Sequence, residues 1–339
     1  MEYREVPGTG IEISVVGFGT GDNGGLMVKG EPKERLRAVE RALDLGVNYF
    51  DTAPDYGKGL AETHLGEALK QIRERPVLCT KVEVMPEHLA DVSGRVIASV
   101  EASLQRLGVD YVDFVMMHNP PHLKTDLDAP GWIGLSVNEM IGPGGALEGL
   151  QKLRAQGKVG FFGFTLDSLD IEAVDAVLET GEFRFINAWF NLLNPSASIP
   201  VPRGLTVDYD FANVITHARE RGVGVACIGP HGRGALTDHA LKGGARHPVA
   251  AGALSRNELA WKAAQENARA FGFLSREGQS LQQAAIRFVL HTPGIITVNG
   301  GFSELSHLDE MVTNTTYGPL TREEMSRVQM VWHGNLGRR

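Results

Sequence analysis

Apolar residues along this chain fall into two alternating patterns. Eight short runs are apolar almost throughout: Val15–Thr20, Val47–Thr52, Val77–Val82, Val112–His118, Val159–Phe164, Phe185–Phe190, Val223–Ile228 and Ile295–Asn299. Strands covered on both faces read this way, whereas strands with one wet face alternate apolar and polar residues. Between the runs the spacing becomes helical. Val96, Ile97, Val100, Leu104 and Leu107 form one stripe, and Leu36, Val39 and Leu43 form another ahead of Gly46. Ser280 with Gln283, and Thr321 with Glu324, have the spacing of helix-start capping boxes, and Leu320 with Met325 that of a hydrophobic staple.

Strand and helix alternate to the end, which predicts βα units and a parallel sheet. Eight units predict a closed (β/α)8 TIM barrel, one domain over residues 1–339. The competing architecture is an open doubly wound sheet, but no G-x-G-x-x-G follows an early strand. Residues Tyr3–Ile13, around Pro7-Gly8-Thr9-Gly10, read as a hairpin ahead of the barrel. Long connections are expected after strand four (Asn119–Gly144), after strand six (Asn191–Val207) and after strand seven, where a further helix falls around Glu258–Phe271. All three leave strand C-termini, the face on which barrels build active sites.

Composition narrows the function classes. A net charge of −8 gives the chain no overall attraction to nucleic acid or anionic membrane. The start, MEYREVPGTG, lacks the apolar stretch of a signal peptide, and no run is long enough to span a bilayer. Cys79 and Cys227 sit in apolar runs, spaced for neither a disulfide framework nor a zinc site. The expectation is a cytoplasmic protein acting on a small molecule, possible as a homo-oligomer, with no nucleic-acid, membrane or metal partner.

Candidate chemistry lies at the ends of strands two, three and four, which read FDT at Phe50–Thr52, TK at Thr80–Lys81 and MMH at Met116–His118. Asp51, Lys81 and His118 thus end three consecutive apolar strands, roughly one βα unit apart. Tyr56 follows in the loop APDYGKG, close enough to fold over the same edge. Each residue alone has a structural explanation: a satisfied histidine, a snorkelling lysine. Together they form a set. Asp51 compensates a buried Lys81, and the ammonium is expected to lower the Tyr56 pKa from its usual ~10 and make the phenol a general acid. His118, donating from a ring nitrogen, would orient a carbonyl and steady charge on its oxygen. Such a set delivers a proton to oxygen while a cofactor delivers hydride to carbon.

On these residues the chain resembles the aldo-keto reductase superfamily. The resemblance is carried by GVNYFDTAPDYGKGLAETHLGEAL at Gly46–Leu69, KV at Lys81–Val82 and MMHNP at Met116–Pro120. It extends from VVGFGTG at Val15–Gly21 to GFSELSHLDE at Gly301–Glu310. It implies a catalytic tetrad of Asp51, Tyr56, Lys81 and His118, with NADP(H) or NAD(H) across the barrel mouth. Thr20, Asp51, Thr165 and Asn187 would then lie at the nicotinamide and Ile228 beneath its ring. Gly229, Pro230, His231, Gly232 and Arg233 would cover the pyrophosphate, and Gly301, Ser303, His307 and Glu310 would meet the adenosine end. The substrate implied is a carbonyl compound or sugar, with Phe18 and Trp132 as candidate walls; Trp189 and Phe190 read equally well as core.

Several positions depart from the family pattern. Thr165-Leu166 stands where Ser-Asn is common, Asn187 where Gln is, and Ile228 where an aromatic ring is. The segment that usually carries Lys or Arg for a 2′-phosphate offers His307, and Met311 replaces a frequent Asn. These departures leave open a second reading, a nucleotide-binding regulatory barrel without efficient turnover. A lyase with a Schiff base on Lys81 is opposed by Asp51, which would raise the lysine pKa. A metal-dependent hydrolase lacks a His-x-His after strand one, and His118 with His122 supplies too few ligands.

Overall fold

Each of the eight apolar runs is a strand. A computed structural model describes residues 1–245, 247 and 258–338. Barrel strands one to eight are Val16–Gly19, Tyr49–Asp51, Val77–Val82, Val112–Met117, Val159–Leu166, Phe183–Trp189, Gly224–Ile228 and Ile295–Gly301. They pair in parallel in chain order, and strand eight closes on strand one through Val298↔Val16 and Asn299↔Gly17. The result is a (β/α)8 barrel, as the alternation of patterns requires.

Strand alternation divides the apolar runs between two cores. Outward residues such as Val16, Phe18, Phe50, Leu78, Phe162 and Ile186 pack under the helices. Inward residues Tyr49, Cys79, Phe114, Met116, Phe185 and Ala226 fill the barrel. The N-terminal hairpin, Tyr3–Val6 against Ile11–Ser14, is an antiparallel pair whose Val6 and Ile13 join that inner core. Burial on both sides is why these strands show no polar face.

The helices begin and end on local signals. Pro32–Asp44 starts at a capping box of Glu31 and Glu34 with proline at its first position. In Val92–Leu107, Asp91 accepts from the Gly94 N–H at 2.8 Å, and Gly108 ends the helix at φ +67°. Arg322–His333 opens on the Thr321–Glu324 box, whereas at Leu281–Leu290 the Ser280 side chain accepts from the Gln283 N–H. The former places Leu320 and Met325 in one apolar cluster.

The long connections all carry structure. After strand four, Pro121–His122 pairs with Leu135–Ser136 and leads into Val137–Ile141. The loop after strand six is anchored by the Trp332 indole, which donates to the Leu192 carbonyl at 2.8 Å. The connection after strand seven includes helices Asp238–Leu241 and Glu258–Arg269. Among the described residues no helix is long and apolar enough to cross a membrane.

Candidate active site

Register places Asp51, Lys81 and His118 on the inward side at the strand C-termini, above the apolar filling. Lys81 Nζ donates to Asp51 Oδ1 at 2.5 Å and to the Thr52 carbonyl at 2.9 Å. Lys81 is 1% exposed and Asp51 4%, so the pair is a buried one in which each charge answers the other. Asp51 Oδ2 also accepts from the Tyr49 hydroxyl and from Asn187 Nδ2, both at 3.3 Å. Tyr56 folds back as expected: Lys81 Nζ lies 4.9 Å from its ring centroid. The Tyr56 and His118 rings meet edge to face with centroids 6.0 Å apart. The four residues therefore share one site.

The electrostatics differ from the sequence expectation at Tyr56. Burial raises the phenol pKa and outweighs the lowering by Lys81, with Asp51 adding to the rise. The net shift is upward, so the phenol stays protonated throughout the neutral range and is a donor, not a phenolate. At Lys81 burial acts downward, but Asp51 and Tyr56 hold the ammonium well above its ordinary value. That direction disfavours a Schiff-base lysine, which needs a neutral amine. Burial and then Lys81 push His118 down to about 3, so its imidazole is neutral.

The histidine shift has a measurable consequence. A folded pKa of about 3, against ~6.5 in the unfolded chain, means that only the unfolded state takes up the proton as pH falls below ~6.5. Stability from this group is therefore complete above ~6.5 and lost downward at about 1.4 kcal/mol per pH unit. His231, pushed by burial to about 4, acts with the same sign. Urea unfolding at about pH 7.5 and about pH 5 should show a loss of roughly 2 kcal/mol per imidazole. His118→Asn should lose less between the two pH values; an equal loss in the variant would refute the assignment.

The rest of the mouth is assembled from loops. Thr20 donates its hydroxyl to the Asp51 carbonyl at 3.1 Å, and Thr165 gives its own to the His118 carbonyl at 2.8 Å. Asn187 Oδ1 is buried with no hydrogen-bond partner. Trp132, from the loop after strand four, stacks on the His118 imidazole with centroids 4.9 Å apart. Ile228 ends strand seven, and the loop Gly229–Gly234 follows as two successive turns, closed by Gly232 N–H on the Gly229 carbonyl and Gly234 N–H on the His231 carbonyl. Gly229 has φ +63°, and a Cβ there would fall 2.2 Å from the Trp189 ring, so both backbone and space require glycine. Pro230 is buried within that loop. Arg233 lies over the Trp189 ring at 4.7 Å, and the Trp189 indole donates to Asp167 at 2.6 Å.

At the strand-eight corner, Gly301 is exposed and the Ser303 hydroxyl donates to the Gly24 carbonyl at 2.7 Å. His307 Nε2 lies 3.7 Å from Glu304, and Glu310 accepts from Gln282 at 2.6 Å.

One candidate is not brought to the site. Phe18 points outward and packs on Phe50 and Phe302 in the barrel–helix core, with centroids 5.1 and 5.2 Å away. The strand period explains the correction: Gly17 and Gly19 take the inward positions, so Phe18 cannot. Phe190 is likewise core, stacked on Phe288, whereas Trp189 stands at the mouth. Two site residues escaped the sequence reading. Glu83 lies 3.2 Å from His118 Nδ1, and Asp167 holds Trp189. Their signal was periodicity: each stands two residues beyond an inward side chain, Lys81 or Thr165. Among the described residues no cluster of His, Cys, Asp and Glu is arranged to hold a metal.

Comparison with known proteins bears on the family and the fold. The family model described as "Aldo/keto reductase family" matches residues 15–333. L-galactose dehydrogenase of Arabidopsis thaliana is 27% identical over 319 residues, covering 93% of this chain and 88% of that protein. The NADH-specific methylglyoxal reductase of Escherichia coli (strain K12) is 28% identical over 207 residues, 55% of this chain and 58% of that protein. Among solved structures, a glycerol dehydrogenase from Gluconobacter oxydans superposes with a TM-score of 0.73 at 23% identity, covering 98% of this chain and 96% of that one. With the family model spanning nearly all of it, the chain belongs to the aldo/keto reductase family of oxidoreductases.

Proposed function

We propose that this protein interconverts a carbonyl and an alcohol by hydride transfer from a nicotinamide nucleotide, with Tyr56 as the general acid and base. The observation that carries the proposal is the buried Asp51–Lys81 pair set against the Tyr56 ring beside His118. A bound nicotinamide would supply the hydride. The chain supplies the rest. Tyr56, protonated at neutral pH, gives its proton to the oxygen on which charge develops. Lys81 faces the phenolate left behind, and Asp51 holds Lys81 charged. The mouth fits a nicotinamide: the unpartnered Asn187 Oδ1 is a buried acceptor suited to a carboxamide N–H, and Ile228 offers an apolar floor. The positive-φ turns of Gly229–Gly234, with Arg233, suit a pyrophosphate. Small carbonyl compounds and sugars are the substrate class, in line with the methylglyoxal and L-galactose named for the two relatives.

We further propose NADH as the favoured nucleotide. Ser303 gives its hydroxyl to Gly24, and burial lowers the His307 pKa, which disfavours the imidazolium. Glu304 is held below its usual range by Ser306 and so brings a negative charge to the same corner. Among the described residues, Ser303, Glu304 and His307 offer a 2′-phosphate none of the charge-assisted bonds worth about 1.5–3 kcal/mol each. Fluorescence titration of the purified protein should therefore show NADH binding at least about tenfold more tightly than NADPH. Tighter NADPH binding would overturn the preference, and failure to bind either would overturn the function.

A further inference from the structure

Asn299 is an inward residue of barrel strand eight that the tetrad does not use. Its strand pairs Val298 with Cys227 of strand seven, and Asn299 itself with Gly17 of strand one. One step further along that register, the inward residue of strand seven is Ile228, so Asn299 stands beside the apolar floor of the mouth. Its side chain fills the space that a side chain on Gly17 would need: a Cβ there would collide with Asn299 Oδ1 and with the Tyr49 ring. Tyr49 in turn gives its hydroxyl to Asp51. Asn299 is 8% exposed, and neither its Oδ1 nor its Nδ2 has a hydrogen-bond partner.

A buried amide with both ends unpaired works against the fold, since each polar atom has given up water for nothing. A leucine of similar volume would pack against Tyr49 without that cost. The amide therefore calls for a partner that arrives from outside the chain. The next inward positions toward the mouth, Gly301 on strand eight and Gly19 on strand one, pair with each other and carry no side chains. A ligand can approach the backbone closely there.

We infer that Asn299 is a further nucleotide-binding residue, whose amide pairs with the hydroxyls of the ribose that carries the nicotinamide; this rests on the proposed use of a nicotinamide nucleotide. A vicinal diol offers a donor and an acceptor on neighbouring oxygens, and an amide presents the complementary pair along one edge. Oδ1 accepts from one hydroxyl and Nδ2 donates to the other. Strand order assigns the ribose rather than the carboxamide. Strand seven lies between strands six and eight, and Asn187 on strand six already offers its unpartnered Oδ1 to a carboxamide. The loop suited to pyrophosphate follows strand seven, and Gly301 and Ser303 follow Asn299 at the adenosine corner. The sugar that joins ring to pyrophosphate thus falls on the strand-eight side. Stability forgone in the free protein is recovered as affinity when the hydroxyls arrive.

The test titrates the purified protein with NADH, ADP-ribose and ADP. ADP-ribose keeps the ribose in question and lacks nicotinamide; ADP lacks both. Asn299→Leu should weaken NADH and ADP-ribose about tenfold each, and ADP about twofold or less. The same variant, free of nucleotide, should unfold at a higher urea concentration than wild type, because two unpaired polar atoms leave its interior. Asn299→Ala, which adds no bulk, should show the same loss of ADP-ribose affinity. Unchanged ADP-ribose binding in Asn299→Ala overturns the inference, as does a less stable free Asn299→Leu, which would mark the amide as structural. A protein that binds ADP-ribose and loses it as stated, yet turns over no carbonyl, would remove the function and leave the Asn299 assignment standing. A wild type that binds none of the three would remove both.

Discussion

Tyr56→Phe is expected to lower turnover by about 10²- to 10⁴-fold, or ~3–5 kcal/mol of barrier, while leaving nucleotide affinity within about threefold. The substitution removes one hydroxyl and keeps the ring that lies against the Lys81 ammonium. The Asp51–Lys81 pair and the Asn187 contact on Asp51 do not involve that hydroxyl. A variant that binds nucleotide normally and turns over slowly would isolate proton transfer as the lost step. A variant of near wild-type turnover would show that Tyr56 is not the acid. The pH profile gives a second check. Tyr56 is raised above its ordinary value and His118 lies at about 3, so neither titrates between about pH 6 and 8. Carbonyl reduction should be flat there, and a step near 6.5 would mean that His118 is not held neutral.

Much of the fold was legible because barrel strands have no wet face. Runs such as Val112–His118 stay apolar since outward residues meet helices and inward ones meet each other, and their boundaries were off by about two residues. Three of the four tetrad positions were legible as polar breaks at the ends of such runs. What stayed hidden was which side of a strand each residue takes. Phe18 looked like a wall of the mouth because it is aromatic and near a strand end, but Gly17 and Gly19 own the inward positions. The same alternation, applied forward from Lys81, would have turned up Glu83. The sign of the Tyr56 shift was hidden for another reason. A neighbouring charge can be guessed from sequence, whereas the depth of burial that outweighs it depends on the assembled loops.

Asp51→Asn is expected to cost about 3–5 kcal/mol of stability, because it leaves the Lys81 ammonium buried with only carbonyl-type partners. Lys81 is 1% exposed, so water cannot replace the lost carboxylate without opening the mouth. Lys81→Met strands the opposite charge, yet Asp51 keeps the Tyr49 hydroxyl and Asn187 amide, so its cost should be the smaller of the two. The double variant removes both charges and should recover much of the loss, with a coupling of about 1–3 kcal/mol in a double-mutant cycle. Urea unfolding midpoints of the four proteins supply the cycle, and additive costs would show that the pair is not coupled. The pH dependence has a definite sign. The folded Lys81 pKa is raised, so the stability it contributes is fully present below the unfolded value of ~10.4 and is lost only as pH rises beyond it. Neutral and mildly alkaline conditions should therefore give the same coupling. A coupling already lost as pH rises to about 9 would mean that Lys81 is neutral there in the folded protein, and that Tyr56 has no cation beside it to balance the phenolate left when its proton departs.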